Sequence, residues 1–174
     1  HLTERSQLQP DRQLAPTNSN IKKDTMTRKW FIVGALVLSF EMIIGFTGSR
    51  KGINQQQADM IKSFLLENKA THLHHGDCVG ADTSFHEIGE ELNLSISIHP
   101  PDKKGLRSFC KPKGEGISHE AKPFIKRNHD IVNACDVLIA CPETSKEVQR
   151  SGTWATIRYA RKQGKEVKLI PSKE

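Results

Sequence analysis

The stretch DVLIACPETSKEVQRSGTWATIRYA, residues 136–160, sets out a strand, a loop and a helix in succession. Val137 to Ala140 is a short apolar run that predicts a buried strand, and Thr153 to Gln163 predicts a helix that ends at Gly164. The tripeptide Ser151-Gly152-Thr153 puts small, hydroxyl-bearing residues at the start of that helix. A strand that passes through a glycine-bearing turn into a helix is typical of the repeating unit of a parallel α/β sheet.

The same alternation runs from Met42 to the end of the chain. Other strands are predicted within Met42–Arg50 and at Thr71–His75, Leu94–His99 and Glu166–Ile170, and other helices at Asn54–Asn68, Thr83–Leu92 and Lys122–Ala134. Asn54 with Gln57 predicts a capping box at the first helix. Residues 102–120 are basic, glycine-rich and aperiodic, which predicts a long surface loop. We therefore expect an α/β fold that is Rossmann-like and doubly wound, with a mainly parallel sheet and helices on both faces.

Three glycine-bearing turns follow predicted strands. They are TGSR at residues 47–50, GDCVGAD at residues 76–82 and SGT at residues 151–153. Ligands of such sheets bind beyond the carboxyl ends of the strands, near the switch point. Glycine lets the backbone approach a ligand, the N–H groups at a helix start attract anions, and Arg50 adds a charge that suits phosphate. The turns together predict a phosphate cradle, whereas Ser151 or Thr153 taken alone is better explained as a helix cap.

The combination of these turns resembles the SLOG superfamily, the Rossmann-like group that includes the lonely-guy cytokinin-activating enzymes and the DNA-processing proteins. The resemblance covers Met42 to Pro171 and is close to small bacterial and phage members. It implies a cleft that binds a nucleotide or a nucleotide-derived ligand. The ligand-binding residues that it implies are Thr47, Gly48, Ser49, Arg50, Gly76, Asp77, Gly80, Asp82, Arg127, Asn128, Ser151, Gly152 and Thr153.

One departure bears on activity. Lonely-guy enzymes carry a Pro-Gly-Gly-x-Gly-Thr-x-x-Glu motif whose glutamate helps to cleave an N-glycosidic bond, and Thr156 stands at that position here. Arg127 stands where the family often places a catalytic or phosphate-contacting arginine. Without the carboxylate, general acid–base help is missing unless Asp77 or Asp82 replaces it. The catalytic candidates are therefore Arg127, Asp77 and Asp82, and whether the protein is an enzyme stays open.

Three functions follow from these observations. The favoured one is binding of a nucleotide or nucleotide-derived small molecule, as a sensor or carrier. The first alternative is a phosphoribohydrolase-type N-glycoside hydrolase acting on nucleoside monophosphates, and the second is single-stranded DNA binding. Nucleic acid is the less favoured partner, because the excess of 26 Lys and Arg over 20 Asp and Glu is spread along the chain with few aromatics between. The oligomeric state is open, although such folds often pair through helices.

For the cysteines and histidines, we prefer structural roles over catalytic or metal-binding ones. Four cysteines without a CxxC pair argue against a zinc ribbon and predict free thiols in a reducing compartment, the cytoplasm. Cys78 lies near a helix start, an environment that can lower a thiol pKa. His72 and His74 are expected on one face of a strand, with His75 on the other. For these three histidines and for His86, we prefer a packed or hydrogen-bonded role over metal binding. We therefore expect neither a metal nor a cofactor.

The first 41 residues differ from the rest. Residues 1–25 are polar and are expected to be disordered. Arg28 and Lys29 precede an apolar run, Trp30 to Phe40, that resembles a signal peptide and is short for a membrane span. We expect residues 1–41 to be an appended segment, with an export or anchor signal or an added apolar helix as alternatives. The domain is expected at residues 42–174, without membrane contact.

Overall fold

The computed structural model describes residues 41–172 and, before them, two short strands at Ile32–Val33 and Leu36–Val37. These strands pair antiparallel, so the apolar helix considered for this segment is wrong over these four residues. The expected disorder of residues 1–25, and the Arg28 and Lys29 of the signal-like segment, lie outside the described residues. The chain divides into two units, His1–Ser39 and Phe40–Glu174, and the second contains everything described below.

A six-stranded parallel sheet lies at the centre of the second unit. Its strands are β1 (Met42–Gly48), β2 (Ala70–His75), β3 (Ser95–Ile98), β4 (Gly116–Ser118), β5 (Val137–Cys141) and β6 (Glu166–Leu169), and the helices are α1 (Gln55–Glu67), α2 (Ala81–Glu91), α3 (Phe124–Ala134) and α4 (Gly152–Lys162). The strand order is β4-β3-β2-β1-β5-β6, and every neighbouring pair is parallel. The order changes direction between β1 and β5, which makes that junction the switch point of a doubly wound sheet. The predicted α/β class is confirmed.

Apolar side chains leave the sheet on both faces. On one face Ile44 and Phe46 of β1 pack in a cluster with Ile61 and Leu65 of α1 and with Phe85 of α2. The rings of Phe46 and Phe85 stack with their centroids 4.2 Å apart. On the other face the buried cluster is formed by Ile131, Val132, Cys135, Leu138 and Ala160. Helices therefore cover the sheet from both sides, as the alternation of strands and helices predicted.

The start of α1 shows how local sequence sets an element. The Asn54 side chain accepts a hydrogen bond from the Gln57 N–H at 2.8 Å, and the Gln57 side chain accepts one from the Asn54 N–H at 3.0 Å. The predicted capping box is therefore present. Gln57 also donates through Nε2 to the Ile170 carbonyl at 2.7 Å, which ties the cap to the chain just after β6.

The long loop predicted at residues 102–120 is wrong in part, because the segment contains β4 and a 3₁₀ turn at Lys104–Leu106. All three residues of β4 are exposed, so the strand lacks the apolar pattern that marks the others. A Cβ on Gly116 would lie 2.3 Å from the Ile96 carbonyl oxygen, so glycine permits the close approach to β3. Within residues 41–172, no helix has the length and apolar character needed to cross a membrane.

Candidate functional site

The three glycine-bearing turns meet at the switch point. The Thr153 hydroxyl, in the first turn of α4, donates to the Gly48 carbonyl at 2.9 Å. The Ala81 N–H at the start of α2 donates to the Ser49 carbonyl at 3.0 Å, and the Ser49 N–H donates to the Cys141 carbonyl at 3.0 Å. These bonds join the ends of β1 and β5 to the starts of α2 and α4. Ligand binding by the turns remains a hypothesis, but the structure brings them together.

Two glycines serve this packing directly. A Cβ on Gly48 would lie 2.4 Å from the Ala81 Cβ. Gly80 has a φ of 94°, and a Cβ there would lie 2.3 Å from the Arg50 carbonyl oxygen. Thr47, one residue earlier, is buried in β1. The role of the two glycines in the structure is therefore close contact between turns, and that of Thr47 is a buried position in the strand.

The start of α4 is different, because it is open. Ser151 is the N-cap, and its hydroxyl oxygen accepts from the Trp154 N–H at 3.3 Å, so the capping role is confirmed. The first N–H groups of a helix have no partner within the helix, which leaves the Gly152 and Thr153 N–H groups for a ligand. Apart from the chain neighbours of Gly152 and the backbone of α4 itself, no heavy atom of the described chain lies within 4 Å of the Cβ that a side chain there would add. The hydroxyls of Ser151 and Thr153 are engaged in hydrogen bonds within the fold, so the donors left open at this helix start are backbone N–H groups.

Arg127 is buried beneath the second turn. Its Nη2 donates to the Cys78 Sγ at 2.9 Å, and its Nη1 lies 3.9 Å from a carboxylate oxygen of Asp82. A Cβ on Gly76 would lie 1.2 Å from that Nη1, so the guanidinium occupies the space above this glycine. The Nε of Arg127 is buried without a hydrogen-bond partner in the part of the chain that the structure describes. Unsatisfied buried donors are rare in native structures, so the Nε of Arg127 sets this residue apart within the described chain.

Phe124 links the two arginines of the site. The centre of the Arg127 guanidinium lies 5.5 Å from the Phe124 ring centroid, and that of Arg50 lies 5.9 Å from the same centroid. Arg50 is exposed, whereas Arg127 is 5% exposed. One exposed and one buried guanidinium therefore lie near the same aromatic ring, at the edge of the sheet where β1 ends.

The two candidate carboxylates are both buried. Burial raises the pKa of Asp82, against the opposing effects of Arg127 and of the Cys78 N–H that donates to it at 3.0 Å. Asp77 is fully buried, and its two carboxylate oxygens accept from Arg107 Nε at 2.8 Å and from the Cys110 N–H at 2.9 Å. Asp77 thus anchors the segment at residues 107–110 and has no oxygen facing the cleft.

Thr156, which stands where lonely-guy enzymes have a glutamate, is buried between two helices. Its hydroxyl accepts from Asn128 Nδ2 at 2.8 Å and donates to the Gly152 carbonyl at 3.0 Å. The side-chain amide of Asn128, a predicted ligand contact, is therefore engaged in a hydrogen bond that joins α3 to α4. The geometry offers no exposed acid or base at this position.

The surroundings of all four thiols favour the protonated form. Burial raises the pKa of Cys78, with the Asp82 carboxylate adding to the effect, so the expected lowering by the helix start is wrong. Burial also raises the pKa of Cys110 and Cys141 to about 12 and that of Cys135 to about 11. All four cysteines are free, as predicted.

The histidines form contacts that the sequence did not show. His74 Nδ1 lies 2.8 Å from His99 Nε2, and the His99 ring stacks on that of His119 with centroids 4.2 Å apart. His75 faces the opposite side of β2, as predicted, and its Nε2 lies 3.0 Å from His86 Nδ1. His99 and His119 were missed as functional candidates, because His99 was placed inside a predicted strand and the strand before His119 was not predicted.

A cavity of about 550 Å³ lies away from these groups, beside the end of α2 and the start of β3. Its lining includes Glu87, Glu90, Glu91 and Glu115, with Lys113 as a cation. Four carboxylates disfavour a phosphate, so the volume of this cavity does not make it the nucleotide site.

No protein-family model matches the sequence, and no curated protein matches it. Solved structures do match. DNA processing protein A from Streptococcus pneumoniae is 21% identical with a TM-score of 0.56, over 75% of this chain and 50% of that one. TM1055, a structural genomics target, is 16% identical with a TM-score of 0.50, over 72% of each chain. This chain thus spans half the length of DNA processing protein A. The likeness confirms the Rossmann-like architecture of the fold.

Proposed function

We propose that this protein binds a nucleotide or a nucleotide-derived small molecule, as a sensor or carrier, with a phosphate of the ligand at the switch point between β1 and β5. The observation that carries the proposal is the meeting of the three turns at the open start of α4. Parallel α/β sheets bind ligands at such a junction, since helix starts and strand ends point there together.

The groups at the junction match the charge of a phosphate. The Gly152 and Thr153 N–H groups supply donors with the partial positive charge of a helix start. Arg50 is exposed, so it is free to move onto a phosphate oxygen and bind it in bidentate fashion. Arg127 adds a buried charge whose Nε has no partner in the described chain. These donors favour a dianion over a neutral sugar or base.

The geometry supports binding without turnover over hydrolysis of an N-glycosidic bond. A general acid or base must reach the reacting atoms, and Asp77 and Asp82 are 0% and 6% exposed. The Asp77 oxygens are already bound by Arg107 and Cys110. Thr156 has no acid to offer in place of the family's glutamate. The hydrolase remains the alternative that base release would reveal.

The test is ligand-induced stabilisation of the full chain. Thermal unfolding is followed with nucleoside monophosphates, ADP-ribose and cyclic dinucleotides, and base release is measured in the same wells. A ligand at 100 times its Kd raises the unfolding free energy by about 2.7 kcal/mol, which gives a clear shift. A shift without base release supports the proposal. No shift with any phosphate-bearing compound would overturn it, and base release would assign the hydrolase instead.

The decisive variant is Gly152→Asp. The new side chain has open space around it, and an acidic residue in the first turn stabilises a helix, so the fold is retained. Its carboxylate repels an anion at the same N–H groups, so we expect the affinity for the ligand to fall on the order of tenfold or more. Gly114→Asp is the matched control, since it adds the same charge at another unobstructed glycine. Equal losses in both variants would refute a phosphate at the start of α4.

Single-stranded DNA is the second candidate, because a solved protein with this fold is named a DNA processing protein. Binding of an oligonucleotide that weakens steeply with salt would support it. If Gly152→Asp and Gly114→Asp then bind the oligonucleotide alike, the DNA lies elsewhere than the switch point.

A further inference from the structure

We propose that His74, His99 and His119 form a binding site for a divalent transition-metal ion of the zinc class. The three residues come from neighbouring strands: His74 lies in β2, His99 directly follows β3, and His119 directly follows β4. One nitrogen from each ring lies within 4.8 Å of one nitrogen from each of the others. This site is separate from the phosphate site proposed above and does not depend on it.

The register of the sheet explains why these rings meet. His74 pairs with Ser97 across β2 and β3, and Ser97 pairs with Ile117 across β3 and β4. Paired residues of neighbouring strands point to the same face, and so do residues two apart along one strand. His99 and His119 follow Ser97 and Ile117 by two residues, so both project from the face that carries His74. The backbone continues this pattern, since the His119 N–H donates to the Ile98 carbonyl at 2.8 Å.

The spacing of the ring nitrogens suits a tetrahedral ion. A zinc–nitrogen bond of about 2.0–2.1 Å places two ligand nitrogens roughly 3.3 Å apart at the tetrahedral angle. His74 Nδ1 and His99 Nε2 are 2.8 Å apart as hydrogen-bond partners, so the two rings have to separate by only about half an ångström. The stacked His119 ring supplies the third nitrogen. Three imidazoles leave the fourth position to water, as in open zinc sites.

The three ligands differ in exposure. His74 and His99 are 9% and 5% exposed, whereas His119 is exposed and opens the site to solvent. Bare imidazole nitrogens are borderline ligands that suit zinc, copper or nickel and not magnesium or calcium.

A second cluster of histidine and cysteine, formed by His75, His86 and Cys110, is the rival site. Its hydrogen bonds work against a metal. His75 Nδ1 accepts from the Asp77 N–H at 3.2 Å, so the proton of the neutral ring is on Nε2, which donates to His86 Nδ1. His86 Nε2 then donates to Glu90, 3.3 Å away. Each ring nitrogen of His75 and His86 therefore already has a hydrogen-bond partner. Cys110 would have to lose its thiol proton, and burial raises the pKa of this thiol to about 12.

The experiment uses the full chain, stripped of metal by a chelator and titrated with Zn²⁺ in a calorimeter. Co²⁺ is then added in place of Zn²⁺, because its visible absorption reports tetrahedral ligation by nitrogen. We expect one ion per chain and the tetrahedral Co²⁺ spectrum. His119→Ala removes an exposed ligand without disturbing the core, and it should weaken Zn²⁺ binding on the order of tenfold or more and abolish the tetrahedral spectrum.

Two control variants separate this site from other ligands. His129→Ala removes a histidine that stacks on Tyr159, outside the cluster, and should leave binding unchanged. Cys110→Ser removes a ligand of the rival cluster and should also leave it unchanged. The proposal is overturned if the unaltered chain binds no Zn²⁺, if His119→Ala binds it as tightly, or if Cys110→Ser loses it.

Discussion

Gly76 has no room for a side chain, because the Arg127 guanidinium fills the space where a Cβ would be. We predict that Gly76→Ala lowers the unfolding free energy by about 1–3 kcal/mol, the usual cost of overpacking, and displaces Arg127 from Cys78. Urea unfolding measures the loss. Gly105→Ala is the control, since a Cβ there meets nothing within 4 Å. If both variants lose the same free energy, Arg127 is not held by Gly76.

Asp82 is a residue whose charged form the fold disfavours. Burial raises its pKa above the ordinary 3.8, so the folded chain holds the proton more tightly than the unfolded chain does. The contribution of Asp82 to stability is therefore present at low pH and falls as pH rises from the unfolded pKa through the folded pKa. Asp82→Asn keeps an oxygen acceptor for the Cys78 N–H and removes this titration.

We accordingly predict that Asp82→Asn gains stability relative to the unaltered protein as pH rises from about 4 to about 7. Chemical unfolding of both proteins across that range measures the difference. Asp102→Asn, at an exposed aspartate, controls for the loss of one negative charge. If the difference in stability stays constant or reverses as pH rises, the Arg127 charge lowers the pKa of Asp82 at least as much as burial raises it.

Which residues occupy the site was partly readable from the sequence. The turn pattern led to Gly76 and the family resemblance led to Arg127, and the structure places the two against each other. The environment of Asp77 was not readable, because its partners Arg107 and Cys110 lie 30 and 33 residues away in a segment without periodicity. A sequence shows that a carboxylate lies near a strand end, but which donors fold back onto it depends on the path of a distant loop.

At the scale of elements, the cap of α1 does more than start a helix. Asn54→Ala removes the bond to the Gln57 N–H and should cost about 1 kcal/mol, the usual loss for a cap. Gln57→Ala should cost more, because it also leaves the buried Ile170 carbonyl without its donor. Free energies from urea unfolding rank the two variants. Equal costs would mean that the bond to Ile170 adds nothing to stability.

The elements that were predicted well are those whose pattern is local. The helices and the buried strands carry apolar periodicity, and their bounds fall within a few residues of those expected. β4 was missed because its three residues are all exposed and its place in the sheet comes from backbone pairing with β3. An edge strand held in this way leaves little trace in the side-chain pattern.

At the scale of the whole molecule, the sheet and the described core of the second unit are formed by one continuous part of the chain. All six strands of the sheet and the buried clusters on both faces fall between Met42 and Ile170. The switch point, both arginines and the histidine cluster lie within the same limits. A fragment from Phe40 to Glu174 therefore contains every described contact on which the two proposals rest.

We predict that this Phe40–Glu174 fragment unfolds in one cooperative transition, with a free energy within roughly 0.5 kcal/mol of the full chain, because all six strands of the sheet and the buried clusters lie within it. Urea unfolding of both chains measures it, and the slope against denaturant reports the surface exposed. A fragment that starts at Gly45 is the control, since it lacks the fully buried Ile44 and its pairing with Leu73, and it should fail to fold. If the longer fragment also unfolds at lower urea, residues before Phe40 stabilise the sheet, and the division of the chain there is wrong.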